Sequence, residues 1–387
     1  MESKRIARNV EAISSIVRRV SPSGQLHAPR ITAQDMLTVQ ETMIRNEVSS
    51  VGASVNEFSR RLENYLSSPR RPIYAVPVVS GTAALELSLR LAGVLPGDLV
   101  ITTPISFIAT CNAIHNVGAT PVFVDIHPFD LRMDITSLNH LITVRGEPRE
   151  GQLYIGGKRV AACVPVYALG LPWDSRPIVQ MCSRYGIAVV EDAAEALGSM
   201  VGACQVGTFG DLGILSFNGN KVITTGGGGA IITRDKKIAD RARHLSTQAK
   251  TKHPYEYIHD QHGFNMRMPA LNAALGVSQM DALSWILCRK AHNFYQDYSD
   301  VFYELDLPYI RPSESYSWNC WLVSFNAESR RQRDAYLKAF HRRGIQARPL
   351  WAPLNAYGPY AGCESMPTPG ADQVYDQIVC LPSGVGG

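Results

Sequence analysis

The chain has 387 residues, and its 38 Lys plus Arg against 34 Asp plus Glu leave a formal charge of +4, too even a balance for a polybasic nucleic-acid binder or an acidic tail protein. With 45% hydrophobic and 8% aromatic residues it can build a large core, which excludes a disordered chain. No apolar run approaches the ~20 residues of a membrane-spanning helix, and charges at Glu2, Lys4, Arg5, Arg8, Glu11, Arg18 and Arg19 leave no apolar signal-peptide segment. The expectation is a cytoplasmic protein with neither membrane nor nucleic acid as partner. The eight cysteines form no CxxC pair and have no His at ligand spacing, so no metal site and no disulfide framework is expected, and most read as buried thiols.

Taken in chain order, Ile6, Val10, Ile13, Ile16, Val17 and Val20 recur at intervals of three and four and predict an amphipathic helix. Its apolar face is expected against its own protein or a sister subunit rather than a membrane surface. From Tyr74 the pattern alternates. Strands are predicted over 74–79, 99–102, 121–124, 160–166, 187–190 and 213–217, and helices over 82–95, 107–117 and 177–185. Short apolar strands separated by helices imply an α/β fold with a mostly parallel central sheet covered on both faces. Such sheets bind ligands at the carboxyl ends of their strands. Segment 145–159, with four glycines, reads as an exposed hairpin or loop insertion. A helical pattern over 268–287 continues to about 305, and the tail from Trp318 reads as a smaller α+β unit with a helix near 331–343. The expected division is an N-terminal helical extension at 1–27, a large domain at 28–285 and a small C-terminal α+β domain at 286–387.

Three strand ends carry candidate chemistry. After the strand at 187–190 come Glu191, Asp192 and Glu195; adjacent carboxylates at a buried strand end are costly unless something cationic or hydrogen-bonding receives one. The plainer reading of Asp192 is a helix N-cap. Lys221 follows Ser216 in a stretch of small and apolar residues, as a desolvated, Schiff-base-forming amine requires, although a surface-loop lysine has the same appearance. The run Gly226–Gly229 leads into a strand at 230–233 rather than opening a helix, which disfavours a dinucleotide fingerprint. Ser80-Gly81-Thr82 lies between a strand and a helix, where unpaired first-turn amides can cap the helix or hold a single phosphate. Together with aromatic Phe107, these are the parts pyridoxal phosphate needs: an amide cradle, a ring to stack on, a carboxylate for the pyridine nitrogen and a lysine for the imine.

At this point the sequence resembles the DegT/DnrJ/StrS-type nucleotide-sugar aminotransferases. The likeness runs from about Ala28 to Gly387 through SSVG at 49–52, SGTAAL at 80–85, GATPVFVDI at 118–126, EDAAEALGS at 191–199, SFNGNK at 216–221, HPYEYIHDQHGFNMRMPALNAALG at 253–276, RPLW at 348–351 and LPSG at 381–384. The loop insertion before Pro165 and the HPYEYIHD stretch look most like the subgroup that places an amine on UDP-linked 4-keto sugars, in pathways to legionaminic acid or bacillosamine. The resemblance implies the type I, aspartate-aminotransferase-like fold. It implies pyridoxal 5'-phosphate as cofactor, with pyridoxamine phosphate as the form between half-reactions. It places Lys221 in the imine, Asp192 on the pyridinium nitrogen, Phe107 on the ring, Glu195 near the ring hydroxyl, and Gly81, Thr82 and Ser216 on the phosphate. Asn265 would reach the phosphate of a neighbouring subunit, so a homodimer with shared sites is implied. His253, Tyr255, Arg267, Arg348 and Trp351 become candidates for the nucleotide sugar, with dimer-interface or surface roles as the plainer reading. Tyr167 and Asn355 stand where the family commonly has His. Lys221 argues against the family's dehydratases, which use His in its place. The expected reaction moves an amine from an amino acid, glutamate, to a keto sugar; the other reading is a regulatory member that binds the cofactor without turnover.

Overall fold

The computed structural model describes residues 2–386. Its centre is a sheet of seven main strands, β1 (Tyr74–Val78), β2 (Leu99–Thr102), β3 (Thr120–Phe123), β4 (Lys158–Val164), β5 (Ala188–Asp192), β6 (Leu212–Ser216) and β7 (Gly229–Thr233), in the spatial order β3-β2-β4-β5-β6-β7-β1. β7 is antiparallel to both of its neighbours, and the other strands run parallel. This is an α/β type I architecture. The glycine-rich insertion forms a hairpin, Glu147–Arg149 and Gln152–Ile155, that extends antiparallel onto β4.

Because successive side chains on a strand face opposite ways, the sheet separates two cores. Val76, Val100, Val164 and Val190 enter one, with the helices Gly81–Leu91 and Ala109–Asn116, while Ala75, Ile101, Cys163 and Val189 enter the other. Each fully buried branched side chain contributes roughly 1.5–3 kcal/mol. The same alternation sends the neighbours Glu191 and Asp192 to opposite faces.

The differences from the sequence expectations lie at element ends. The helix expected over 82–95 stops at Leu91, followed by Gly93 at φ 79°. β5 runs two residues beyond the expected 190, because Asp192 pairs with Ile214 and its amide donates to the Pro165 carbonyl at 2.9 Å. No helix follows Asp192, which removes the N-cap reading. The long C-terminal helical pattern is interrupted: Ala270–His292 loosens into a wider turn at Asn293–Tyr298 before Ser299–Glu304.

Beyond it, strands Val323–Asn326, Ile378–Leu381 and Arg348–Pro349 form a three-stranded sheet with Ile378–Leu381 in the middle. It packs with the helices Arg330–His341 and Pro369–Gln377. The N-terminal helix Glu2–Val20 buries all six predicted apolar residues. It lies on Arg330–His341, where Asn9 Nδ2 donates to the Tyr336 hydroxyl at 2.8 Å. The segment after it is stitched to the same unit: the Gln346 amide donates to the Gly24 carbonyl at 2.8 Å, and the Ser383 amide to the Leu26 carbonyl at 3.0 Å. Among the described residues no helix is long and apolar enough to cross a membrane.

Candidate active site

The carboxyl ends of β5 and β6, the start of the helix Gly81–Leu91 and the Arg348–Pro349 strand enclose a cavity of about 960 Å³. Ser80, Gly81, Thr82, Phe107, Asp192, Glu195, Ser216, Lys221, Arg348 and Trp351 all line it. The structure thus brings together the expected cofactor residues other than Asn265, and two of the five substrate candidates.

The phosphate-type turn has the required shape. Ser80 caps the helix, its hydroxyl accepting from the Ala83 amide at 3.0 Å, which leaves other first-turn amides available to an anion. Two glycines make room. A Cβ on Gly81 would lie 2.9 Å from Ser216 Cβ, and one on Gly229 would lie 2.5 Å from the Ser80 carbonyl oxygen. The glycine run therefore lets β7 pass directly under the turn, a packing role instead of a dinucleotide fingerprint.

At the floor, Asp192 accepts from the Thr110 hydroxyl at 2.7 Å and the Ala194 amide at 3.2 Å. Burial raises its pKa against these two hydrogen bonds and the nearby Lys221 charge. Glu195 accepts from the Leu169 amide at 2.9 Å and lies 3.4 Å from Lys221 Nζ. Its carboxyl is pushed up to about 7, chiefly by burial and despite the attraction of Lys221. Lys221 also sits under an aromatic lid. Its Nζ is 4.4 Å from the centroid of Trp321, whose indole N–H is fixed on the Asn220 carbonyl at 2.7 Å. Phe107 is 57% exposed at the cavity wall. A buried acid awaiting a cationic partner, a shielded amine, an amide cradle and an open ring fit pyridoxal phosphate.

Asn265, His253 and Arg267 lie elsewhere, in a second concavity with Ser50, Val51, Lys250 and Lys252. Tyr255 is 82% exposed beside His253, with ring centroids 4.7 Å apart. Asn265 and Arg267 sit on a segment that runs along the free edge of β1, where the Val79 amide donates to the Met266 carbonyl at 2.8 Å. Burial lowers the pKa of Arg267.

A family profile matches residues 29–386. The chain belongs to the DegT/DnrJ/EryC1/StrS aminotransferase family. It is therefore an enzyme of the pyridoxal-phosphate-dependent aminotransferase kind. It is 31% identical over 339 residues to GDP-perosamine synthase of Escherichia coli O157:H7, covering 87% of this chain and 86% of that one. To UDP-N-acetyl-3-dehydro-alpha-D-glucosamine 3-aminotransferase of Acidithiobacillus ferrooxidans it is 30% identical over 328 residues, covering 84% and 82%. Among solved structures, the aminotransferase TlmJ of Streptoalloteichus hindustanus superposes with a TM-score of 0.82 at 26% identity over 92% of each chain. Spr1654 of Streptococcus pneumoniae in its PMP-form gives the same values.

Of the two positions that depart from the family pattern, Tyr167 is fully buried and Asn355 half-buried, each among polar partners of its own. The Tyr167 hydroxyl donates to Glu191 at 2.5 Å and lies 3.0 Å from the Ser175 hydroxyl. Asn355 donates to the Ser365 and Thr368 hydroxyls at 3.0 and 2.9 Å. Sequence reasoning missed Thr110 and Trp321. Thr110 carries a signal only in hindsight: it stands in the first turn of the helix Ala109–Asn116, three residues after Phe107, and its amide donates to the Phe107 carbonyl at 3.2 Å. Trp321 carries none, since its place over Lys221 depends on how the C-terminal unit docks.

Proposed function

We propose that this enzyme moves an amino group from L-glutamate to a nucleotide-linked 4-keto sugar, UDP-linked, in amino-sugar biosynthesis. The observation that carries the reading is the convergence of Lys221, Glu195 and Asp192 in one cavity beneath the Ser80–Thr82 cradle. The cavity's size suits a cofactor and a sugar ring together, as ligand sites of several hundred Å³ do. The names of the relatives support a sugar nucleotide: one is a GDP-perosamine synthase, another acts on a UDP-linked amino sugar.

When bound, pyridoxal phosphate supplies an electron sink for the carbon that loses its proton. The chain's own residues do the rest. Gly81, Thr82 and Ser216 bind the phosphate through first-turn amides and a hydroxyl. Asp192, oriented by Thr110 and the Ala194 amide, presents negative charge where the pyridine nitrogen is to be held protonated. That pairing is strong because the floor is dry. Phe107 offers its face to the ring. Lys221 takes the proton from the donor's α-carbon at Nζ and holds it for return across the transferred nitrogen, general acid–base work typically worth ~10²–10⁴-fold. Glu195, whose carboxyl burial pushes up to about 7, stands 3.4 Å from that nitrogen to stabilise its ammonium form. Trp321 and Leu350 help keep water out.

A homodimer with shared sites accounts for the second concavity: each copy lends Asn265 to the other's phosphate cradle and Arg267, His253 and Tyr255 to the nucleotide. Exposed Met36, Leu37, Ile44 and Val51 supply apolar surface for that contact. The experiment is an absorbance spectrum of the protein with pyridoxal phosphate, before and after L-glutamate. Conversion to the pyridoxamine phosphate spectrum supports amino transfer. An unchanged spectrum with every amino acid tried would support the regulatory reading instead. A UDP-4-keto sugar is then expected to restore the starting spectrum.

A further inference from the structure

Behind the cavity wall lies a charged group that the reaction above does not use. Lys290, in the helix Ala270–His292, is 2% exposed. Its Nζ is 3.0 Å from His27 Nε2 and 3.4 Å from the Trp321 carbonyl, and it donates closely to the Ser383 carbonyl. His27 and Trp321 both line the cavity, with ring centroids 6.3 Å apart, and Trp321 in turn covers Lys221. The other nitrogen of His27, Nδ1, is buried without a partner among the described residues. A buried polar atom left unpaired is costly, and this one belongs to the wall of a cavity that must receive polar reactants.

Proton counting fixes what that nitrogen offers. An ammonium has three N–H donors and no acceptor. Protonated Lys290 therefore spends its donors on Ser383, Trp321 and His27 Nε2, leaving the single proton of the neutral imidazole on Nδ1. We propose that His27, held by Lys290 as the Nδ1–H tautomer, donates a hydrogen bond to the side-chain carboxylate of a dicarboxylic amino donor. The inference rests on the transaminase function proposed above. The charge is right, because Lys221 and Arg348 line the same cavity as His27 and Lys290 lies just behind its wall. The reach is right as well. The donor's amine must meet Lys221, its α-carboxylate is one bond from the reacting carbon, and the Trp321 ring neighbours both Lys221, 4.4 Å from its centroid, and His27, with ring centroids 6.3 Å apart. A carboxylate carried further along the donor can span that indole. The Gln346–Gly24 backbone bond keeps the His27 segment beside the strand that carries Arg348, and both residues line the cavity.

The same geometry makes the donor depend on pH. Burial pushes Lys290 down to about 7. It pushes His27 well below its ordinary value too, with the Lys290 and Lys221 charges adding to the effect. The remaining titratable neighbour of Lys290, the Cys320 thiol, is pushed up to about 12 and stays neutral. When Lys290 gives its proton to solvent, its lone pair accepts from His27 Nε2–H. The imidazole proton is then on Nε2, and Nδ1 becomes an acceptor that repels a carboxylate. Affinity for the donor therefore falls as pH rises through about 7.

The test has three readouts on the full-length protein. Nitrogen-15 spectra of ring-labelled histidine should show His27 protonated on Nδ1 at about pH 6 and on Nε2 at about pH 8; Nε2–H at both overturns the tautomer. Calorimetry with glutarate should give about tenfold weaker binding for His27→Phe and for Lys290→Met, the loss of one hydrogen bond to a charged group. The half-reaction followed by absorbance should lose about the same factor in KM for L-glutamate and nothing for L-alanine. Equal losses for both amino acids, or a loss confined to the sugar nucleotide, overturn the carboxylate assignment. If no amino acid reacts with the wild-type protein, the transaminase reading fails by itself. If glutamate reacts and glutarate binds all three proteins alike, it is this inference that fails.

Discussion

Glu191 and Asp192 are consecutive residues at the end of one buried strand, and they have opposite surroundings. Glu191 is fully buried and accepts four hydrogen bonds, from the Tyr167 and Ser175 hydroxyls and the Phe209 and Gly210 amides. Asp192, on the other face, accepts two and opens onto a cavity that holds a second acid and an amine. A buried carboxylate is tolerated when donors surround it; one left short of donors has its charge held for a partner yet to arrive. The strand's alternation therefore separates a structural acid from the one proposed to work on the cofactor, without any difference in the acidic group they carry.

Substitutions should separate the two. The largest effect is expected at the amine: Lys221→Ala abolishes amino transfer and the cofactor's visible absorbance, measured by the spectral half-reaction, whereas melting changes little. Asp192→Asn keeps the fold and some cofactor but loses at least ~10²-fold in kcat, the scale of a missing electrostatic contact at reacting charge; wild-type turnover in that variant removes Asp192 from its role. Glu191→Ala does the reverse, leaving the buried Phe209 and Gly210 amides unpaired. Urea denaturation should show a loss of ~3 kcal/mol or more, with specific activity of the folded fraction largely kept. Thr110→Val is milder, removing one of the two donors to Asp192 and costing about tenfold in kcat/KM.

The smallest effect is a pH dependence of stability. The folded-state pKa of Glu195, about 7, lies above its ordinary value of 4.5. The stability it contributes is thus complete below about 4.5 and lost as pH rises through about 7. Melting temperatures of the cofactor-free protein across that window should fall with pH, and Glu195→Gln should flatten the fall. An identical slope in both proteins places the titration elsewhere.

Much of this was legible in the sequence because it is local. The strand and helix alternation from Tyr74, the turn at Ser80–Thr82, the strand-end Asp192 and Lys221 each announce themselves within a few residues. Element ends were less legible, since the extension of β5 to Asp192 depends on pairing with Pro165 and Ile214. What sequence could not show is what meets across the fold. Asp192 receives Thr110, 82 positions away. Lys221 is covered by Trp321, and His27 is held by Lys290, 263 positions distant. The Glu191–Tyr167 pocket explains why a residue that departs from the family pattern is accommodated: its hydroxyl is one of four donors to a buried acid.

The most direct test of the account is where the cofactor attaches. The protein loaded with pyridoxal phosphate would be reduced with borohydride, digested and mapped by mass spectrometry. The account predicts a phosphopyridoxyl group on Lys221, lost in Lys221→Ala and retained in Glu191→Gln. Attachment at Lys290 or at a surface lysine, with Lys221 unmodified, would contradict it.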